Sequence, residues 1–237
     1  MGESHLAFYR RWSTLAGPYF KWQLSHFKPF LGTRIADVGC GLGNFVDFFK
    51  DAEIYLGFEP DAELAAEFLQ FRQSPSVRLS ACGDITQPAA VEEMRRYGID
   101  TVLHINVLEH IREDRLALSN MIKGLKVGGH ACLLVPALPW LYGTLDTLDG
   151  HFRRYTKKKL LTLAPSIDGV QIVKCRYINF PGAFGWFLKG RVFKQKKHSD
   201  NNYKMMNAIL PAVSFIESRI EPPIGLSLVL VLKKTHE

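Results

Sequence analysis

The sequence predicts a doubly wound α/β fold, and three observations carry that prediction. Apolar runs of strand length alternate with helical stretches through the first 137 residues. The strand runs are mostly apolar throughout, as in a parallel sheet covered by helices on both faces. The first run then enters a glycine cluster, "DVGCGLGN", with glycines at 39, 41 and 43. Glycine loses more entropy on folding than any other residue, so such density calls for a backbone reason.

Residues 5 to 29 read as one or two aromatic-rich amphipathic helices ending near Pro29. "TRIADVG" is the first strand, and Phe45, Phe48 and Phe49 follow the glycines at helical spacing, predicting a helix there. "AEIYLGFEP" is a second strand and "DAELAAEFLQFR" a helix with an acid at its start. "VRLSACGD", "IDTVLHINV" and "HACLLVPA" are strands three to five, separated by the helices "AAVEEMRRYG" and "REDRLALSNMIKGL". "VQIVKCRYI" and "LSLVLVLKK" add two more strands, with an inserted segment over 180 to 223 between them. Right-handed crossovers make such an order doubly wound.

Composition is ordinary for a globular protein: 47% hydrophobic, 22% charged, 237 residues, enough for one large domain. A net charge of +7 weakly favours an anionic partner. The four cysteines, 40, 82, 132 and 175, form no CxxC pair and read as free thiols of a reducing compartment. "MGESHLAFYRRW" lacks the apolar centre of a signal peptide, and Leu6 stands where a myristoylation signal carries Ser or Thr. No apolar run reaches the roughly 18 residues of a spanning helix. A soluble, cytoplasmic protein is expected.

In a doubly wound sheet, ligands bind beyond the carboxyl ends of the strands. Gly39 suits the tight turn, Gly41 leaves room for a ligand to approach backbone, and Gly43 admits the next helix. The spacing is GxGxG with Asn44 following, which departs from the GxGxxG of nicotinamide and flavin sites. Asp37, two residues before Gly39, would repel a pyrophosphate and suits a ligand with a cationic group.

"ADVGCGLGNF" resembles motif I of class I S-adenosylmethionine-dependent methyltransferases, a Rossmann-like family. Glu59, at the end of the second strand and followed by Pro60, matches the acid that holds the donor's ribose diol in that family. "CGDI" is similar to the segment after strand three, which implies Asp84 at the adenine amino group and Ile85 against its ring. "INVLEHI" resembles the fourth-strand motif, placing Asn106, Val107 and His110 beside the donor's methionine part, and "LKVGGHACLLVP" the turn and fifth strand. The resemblance covers residues 33 to 137 well. It implies a seven-stranded sheet, mostly parallel with an antiparallel last strand, capped by N-terminal helices and an insertion before that strand. It also implies S-adenosylmethionine as cofactor, with Asp37, Gly39, Cys40, Gly41 and Gly43 in the donor loop. The expected organisation is one domain over 1–237: a helical cap (1–30), a cofactor-binding core (31–137), an acceptor-side lid and insertion (138–223) and the last strand (224–237).

"GHFRRYT" resembles a "GHxRRYS/T" segment of the UbiE/UbiG-like and type 11 and 12 groups, which lies over the transfer site there. This implies His151 and Tyr155 as acceptor-side catalytic residues, with His151 able to accept a hydroxyl proton. The competing reading has His151, Arg153 and Arg154 pinning a lid loop. Some family members hold a divalent metal with Glu-x-x-Glu-His; here Asn106 replaces the first acid, so no metal is expected from Glu109 and His110 alone. "FPGAFGWFLKGRVFKQKKH" mixes aromatic and basic residues, suiting a lipophilic acceptor or contact with an anionic membrane surface. The expected partner is a small-molecule or lipophilic, lipid-linked acceptor. No nucleic-acid recognition module is visible, so nucleic acid is not the expected partner. A non-catalytic S-adenosylmethionine-binding module, and a methyltransferase acting on nucleic acid or glycan, remain the alternatives. Oligomeric state is not legible.

Overall fold

The computed structural model describes residues 4–164, 167–195 and 200–237. Gly2 and the basic stretch at 196–198 lie outside them. Strands β1 (Arg34–Val38), β2 (Ile54–Phe58), β3 (Val77–Leu79), β4 (Thr101–Ile105), β5 (His130–Pro136), β6 (Val170–Ile178) and β7 (Ser227–Lys234) form one sheet. Its order is β3-β2-β1-β4-β5-β7-β6. The first five strands are parallel, and β7 runs antiparallel to both β5 and β6. The predicted Rossmann-like, seven-stranded sheet with an antiparallel last strand is the observed one.

The apolar strands are explained by two cores, one on each face. Leu228, Leu230 and Leu232 of β7 enter one, with Val102, Leu133 and Val135. Val229 and Val231 enter the other, with Leu103, Cys132 and Leu134. Successive strand side chains point to opposite faces, so a sheet buried on both must be apolar at nearly every position. Helices α4 (Pro88–Arg96), α5 (Asp114–Gly124) and α7 (Lys157–Leu163) contribute to the first core. Helices α2 (Gly17–Ser25), α3 (Ala62–Phe71) and α9 (Asp200–Glu217) contribute to the second. Helix α1 (His5–Leu15) sets Trp12 against that core, and α6 (Thr144–Leu148) and α8 (Phe180–Phe187) lie beyond the strand ends.

One expected element is corrected. No α-helix follows the glycine cluster; Val46–Phe48 make a short 3-10 turn. Gly41 and Gly43 both adopt left-handed backbone, at φ +53° and +73°, which coils the chain in turns. Phe45 and Phe49 then pack against Phe20 and Tyr55, with ring centroids at 5.5 and 5.9 Å. Tertiary aromatic contacts override the helical spacing. The cluster therefore offers turn amides, without a helix N-terminus behind them.

Strand order reverses between β1 and β4, both of which leave the sheet at the same edge. The crevice beyond those ends is where ligands of such sheets bind. Three non-glycine residues just past strand ends have positive φ: Asn106 after β4, Leu138 after β5 and Asn179 after β6. Such backbone is costly and concentrates at functional rims.

Candidate functional site

At the end of β1 the chain turns back on β2. Gly39 N and Cys40 N both donate to the Phe58 carbonyl, at 2.8 and 3.1 Å. Gly39 has φ +74°, and a Cβ there would meet Val107 Cγ2 at 2.5 Å, so the loop and the end of β4 interlock only with glycine. Gly41 is different. Its φ of +53° favours glycine, but a Cβ would meet only the Tyr9 ring, at 3.8 Å. The space in front of Gly41 is thus roofed by α1. Ser13 of the same helix donates to Asn44 in the loop, and Arg10 pairs with Glu67 on α3 at 2.7 Å. The Gly43 position is closed by Phe68 of α3 and by Arg72 just past its end, at 2.9 and 3.0 Å, so Gly43 serves close packing, not the start of a helix.

Glu59 is built into the same loop. One carboxylate oxygen accepts from Gly41 N at 2.8 Å and the other from Asp61 N at 2.9 Å. Charge-assisted bonds of this kind fix the acid at the end of β2, directly beside Gly41. Pro60 follows it, exposed, near the Gly83 turn, where a Cβ would meet the Glu59 carbonyl at 2.8 Å.

Several expected contacts are placed differently. Asp37 is 2% exposed and accepts the Tyr55 hydroxyl, so its carboxyl faces β2 and not an open ligand space. Burial drives its pKa up to about 7; the Tyr55 bond opposes this and the Glu59 charge adds to it. The Cys40 thiol is buried in the second core. Ile85 is buried in the first. Asp84 accepts from Thr86 N at 2.8 Å and from the Thr86 hydroxyl, stabilising its own turn before α4. Asn106 and Val107 do stand at the end of β4, over Gly39.

The segment after β5 is held by one buried carboxylate. Asp146 on α6 accepts from Arg154 Nε at 2.6 Å, Trp186 Nε1 at 3.1 Å, Gly143 N at 3.0 Å and His151 Nδ1 at 3.0 Å. Burial opposes its ionisation, yet these donors hold its pKa below the usual carboxylate range. Arg154 also donates to the Ala137 carbonyl at 2.9 Å, and its guanidinium lies 4.9 Å from the Trp186 ring centroid. Tyr155 is fully buried, its hydroxyl bonded to Asp114 at 3.1 Å and to the Leu108 carbonyl at 3.3 Å. Arg153 pairs with the same Asp114 at 2.8 Å. The expectation that Tyr155 meets an acceptor is therefore corrected: Arg153, Arg154 and Tyr155 pin the loop.

His151 is placed otherwise. Because His151 Nδ1 donates its hydrogen bond to Asp146, Nε2 points toward Glu109, 3.9 Å from Oε1. Burial disfavours the charged ring, but the Asp146 bond and the Glu109 and Asp146 charges outweigh it and raise the His151 pKa. The His110 ring packs edge-on against it at 4.8 Å. Burial and the charge on His151 push His110 down to about 4. Glu109, on the 3-10 turn Leu108–His110 after β4, is 0% exposed. Burial lifts its carboxyl to about 7, against the pull of His151. Sequence reading set Glu109 aside for want of a further ligand; the structure supplies His151 from 42 positions later in the chain. Asp146 was missed altogether, and its only trace in sequence is an acid five residues before His151.

Residues 36–131 match a family described as a methyltransferase domain. An uncharacterized methyltransferase of Mycobacterium bovis is 33% identical over 110 residues, which is 46% of this chain and 41% of that protein. A tRNA U34 carboxymethyltransferase of Syntrophotalea carbinolica is 27% identical over 146 residues, 60% of this chain and 43% of that protein. The chain thus spans less than half the length of these curated relatives. Among solved structures, a SAM-dependent methyltransferase from Archaeoglobus fulgidus shares the fold with a TM-score of 0.56 at 19% identity, covering 92% of this chain and 94% of its own.

Proposed function

We propose that this chain is a class I S-adenosylmethionine-dependent methyltransferase that transfers the donor's methyl group to a lipophilic or lipid-linked acceptor. Gly39, Gly41 and Glu59 serve the donor, Glu59 taking its ribose diol and Asp37 lying beneath the end that carries its ammonium group. Methyl transfer from a sulfonium is an in-line displacement in which positioning of donor and nucleophile supplies most of the catalysis. That suits a site whose donor loop is locked by backbone bonds.

The observation behind the acceptor class is α8. One face sets Trp186 against Asp146, at the heart of the His151 cluster. The other face leaves Phe180, Phe184 and Phe187 exposed, with Trp140 beside Phe187 at 6.0 Å. Helix α9 likewise turns Met205, Ile209, Phe215 and Ile216 outward. Lys189, Arg191 and Lys194 stand between these two faces in sequence. Apolar side chains rimmed by cations suit an anionic membrane surface, and apolar patches of this kind mark interaction sites. No helix among the described residues is long and apolar enough to cross a membrane. The tRNA-modifying relative and the +7 charge favour a second reading, an RNA acceptor.

Flotation tests the surface. The protein is expected to rise with vesicles of phosphatidylcholine and phosphatidylglycerol, and Phe180→Ser with Phe184→Ser to weaken this several-fold. Labelled methyl from the donor should then enter the solvent-extractable fraction of a cell lysate. No flotation together with label confined to RNA overturns the lipophilic reading in favour of the RNA one.

A further inference from the structure

Beside the His151 cluster two distant segments meet, and a groove opens where they do. One is the start of α6, at Gly143 and Thr144. The other is a single π-helical turn, Leu188–Val192, that follows α8. A Cβ on Gly143 would meet the Gly190 carbonyl oxygen at 2.7 Å, so this approach of backbones needs glycine. The Thr144 hydroxyl fastens it, at 3.2 Å from the Gly190 carbonyl and 2.6 Å from that of Gln195. Behind the turn, a Cβ on Gly190 would lie 3.8 Å from Trp186, whose indole N–H holds Asp146. Gly143 N holds the same carboxylate. The groove and the His151 cluster therefore share a wall.

The groove encloses about 420 Å³, within the span of roughly 300–1,000 Å³ typical of small-molecule sites. Phe187 and Val192 line it with apolar surface, Arg191 and Lys194 with positive charge. Among the described residues neither cation has a carboxylate partner; Arg191 donates to the Tyr142 carbonyl at 3.0 Å. Lys194 has φ +47°, left-handed backbone that a lysine seldom adopts. Two backbone bonds bracket it, Phe193 N to Leu188 O at 2.8 Å and Gln195 N to Lys189 O at 2.9 Å. Single π-helical turns and strained non-glycine residues gather at functional sites.

We propose that this groove binds the phosphate and the first part of the chain of a single-chain lipid phosphate that carries the methyl-accepting group. The inference rests on the lipophilic-acceptor reading above and names its chemical class. A phosphate monoester carries roughly −1.5 to −2 charge at neutral pH, with three strong acceptor oxygens. A guanidinium grips such a group with two parallel N–H bonds and an ammonium meets it as a point charge, so Arg191 and Lys194 suit it together. The apolar wall continues to Trp140, 6.0 Å from the Phe187 ring, and takes the chain. A flat anionic bilayer would attract the same cations without needing an enclosed volume between them.

The test titrates the whole chain with decyl phosphate below its micelle concentration, against decanol and inorganic phosphate, by calorimetry and tryptophan fluorescence. Decyl phosphate should bind at least about tenfold tighter than either, the worth of one charge-assisted hydrogen bond. Arg191→Gln with Lys194→Gln alters two exposed side chains and should remove the advantage over decanol. Val192→Asp, at another exposed position, puts a negative charge into the groove and should weaken decyl phosphate while sparing decanol. Melting temperature and S-adenosylhomocysteine binding of each variant report the fold and the donor site separately. Equal affinity for decyl phosphate and decanol, or variants that bind as the wild type does, overturn the site. Inorganic phosphate bound as tightly as decyl phosphate overturns the lipid in favour of a free anion. A protein that floats with vesicles yet shows no preference for decyl phosphate loses the groove and keeps the lipophilic reading. One that binds decyl phosphate through Arg191 and Lys194 but never floats supports the groove and loses the membrane surface.

Discussion

The proposed donor side, at the glycine loop, and the proposed acceptor side, around His151, are built from different materials. On the donor side the contacts are made by backbone: glycine turns, the amides of Gly41 and Asp61, and an acid at a strand end. On the acceptor side they are made by side chains gathered from α6, α8 and the loops after β4 and β5 around Asp146. Backbone geometry needs particular residue types at fixed short spacing. A side-chain cluster needs only that distant residues arrive together. The first leaves a motif in the sequence; the second leaves almost none.

The largest expected effect is on the acceptor side. Arg154 and Asp146 are both buried, with side chains 1% and 0% exposed. Removing one partner of a buried pair costs about 3–5 kcal/mol when the other charge is stranded; Asp146 keeps the donors of His151, Trp186 and Gly143, so the low end of that range applies. Arg154→Met should lower stability by that amount in chemical denaturation, while the protein that remains folded binds S-adenosylhomocysteine as before. Equal loss of donor affinity would erase the division between the two sides.

Next comes Gly41→Val. A side chain there meets only the Tyr9 ring, 3.8 Å from Cβ, so the fold should survive with the modest penalty of left-handed backbone, ~1–2 kcal/mol. Donor affinity should fall by at least about a hundredfold, or roughly 2.7 kcal/mol, because the added methyls take the ligand's space. Unchanged calorimetric binding in a folded variant would remove the glycine loop from the donor site. A smaller effect is expected at Glu59. Glu59→Ala deletes the proposed diol acceptor and the bond to Gly41 N, and should weaken donor binding about tenfold or slightly more. Methylthioadenosine keeps the ribose and should weaken in parallel; loss for one ligand alone would relocate the diol contact.

Legibility in the sequence follows the same division. All seven strands and the helices α3, α4 and α5 between the first five were readable, because strands buried on both faces must be apolar throughout, whereas α8 and α9 were legible only as an inserted segment. The helix expected after Gly43 was not there, because Phe45 and Phe49 are spaced for a helix but bind aromatic partners from α2 and β2. Gly39, Gly41 and Glu59 were legible as a loop. Ile85 and Asp84 matched a motif by position, yet Ile85 is core and Asp84 organises its own turn. Register along a strand fixes where a residue lies, whereas the direction of its side chain depends on what packs around it. Glu109 and His110 were visible but incomplete, since the third member, His151, lies past α5, β5 and α6.

The smallest predicted effect separates the two readings of "GHFRRYT". If Tyr155 served an acceptor, Tyr155→Phe would cut turnover and leave stability alone. The structure gives the opposite expectation. The ring is fully buried, so phenylalanine keeps its packing and removes only the hydroxyl. That hydroxyl reaches Asp114, at 3.1 Å, which stays paired with Arg153 at 2.8 Å and with Lys159 at 3.6 Å. No buried charge is orphaned, so the loss should be that of one hydrogen bond, about 1 kcal/mol. For a chain of this length that lowers the melting temperature by roughly 2–4 °C. Donor affinity should not change, since Tyr155 touches neither Gly41 nor Glu59. A variant with wild-type melting and reduced methyl transfer would return Tyr155 to the acceptor side. One that loses donor binding would show that the loop it pins also closes the donor site.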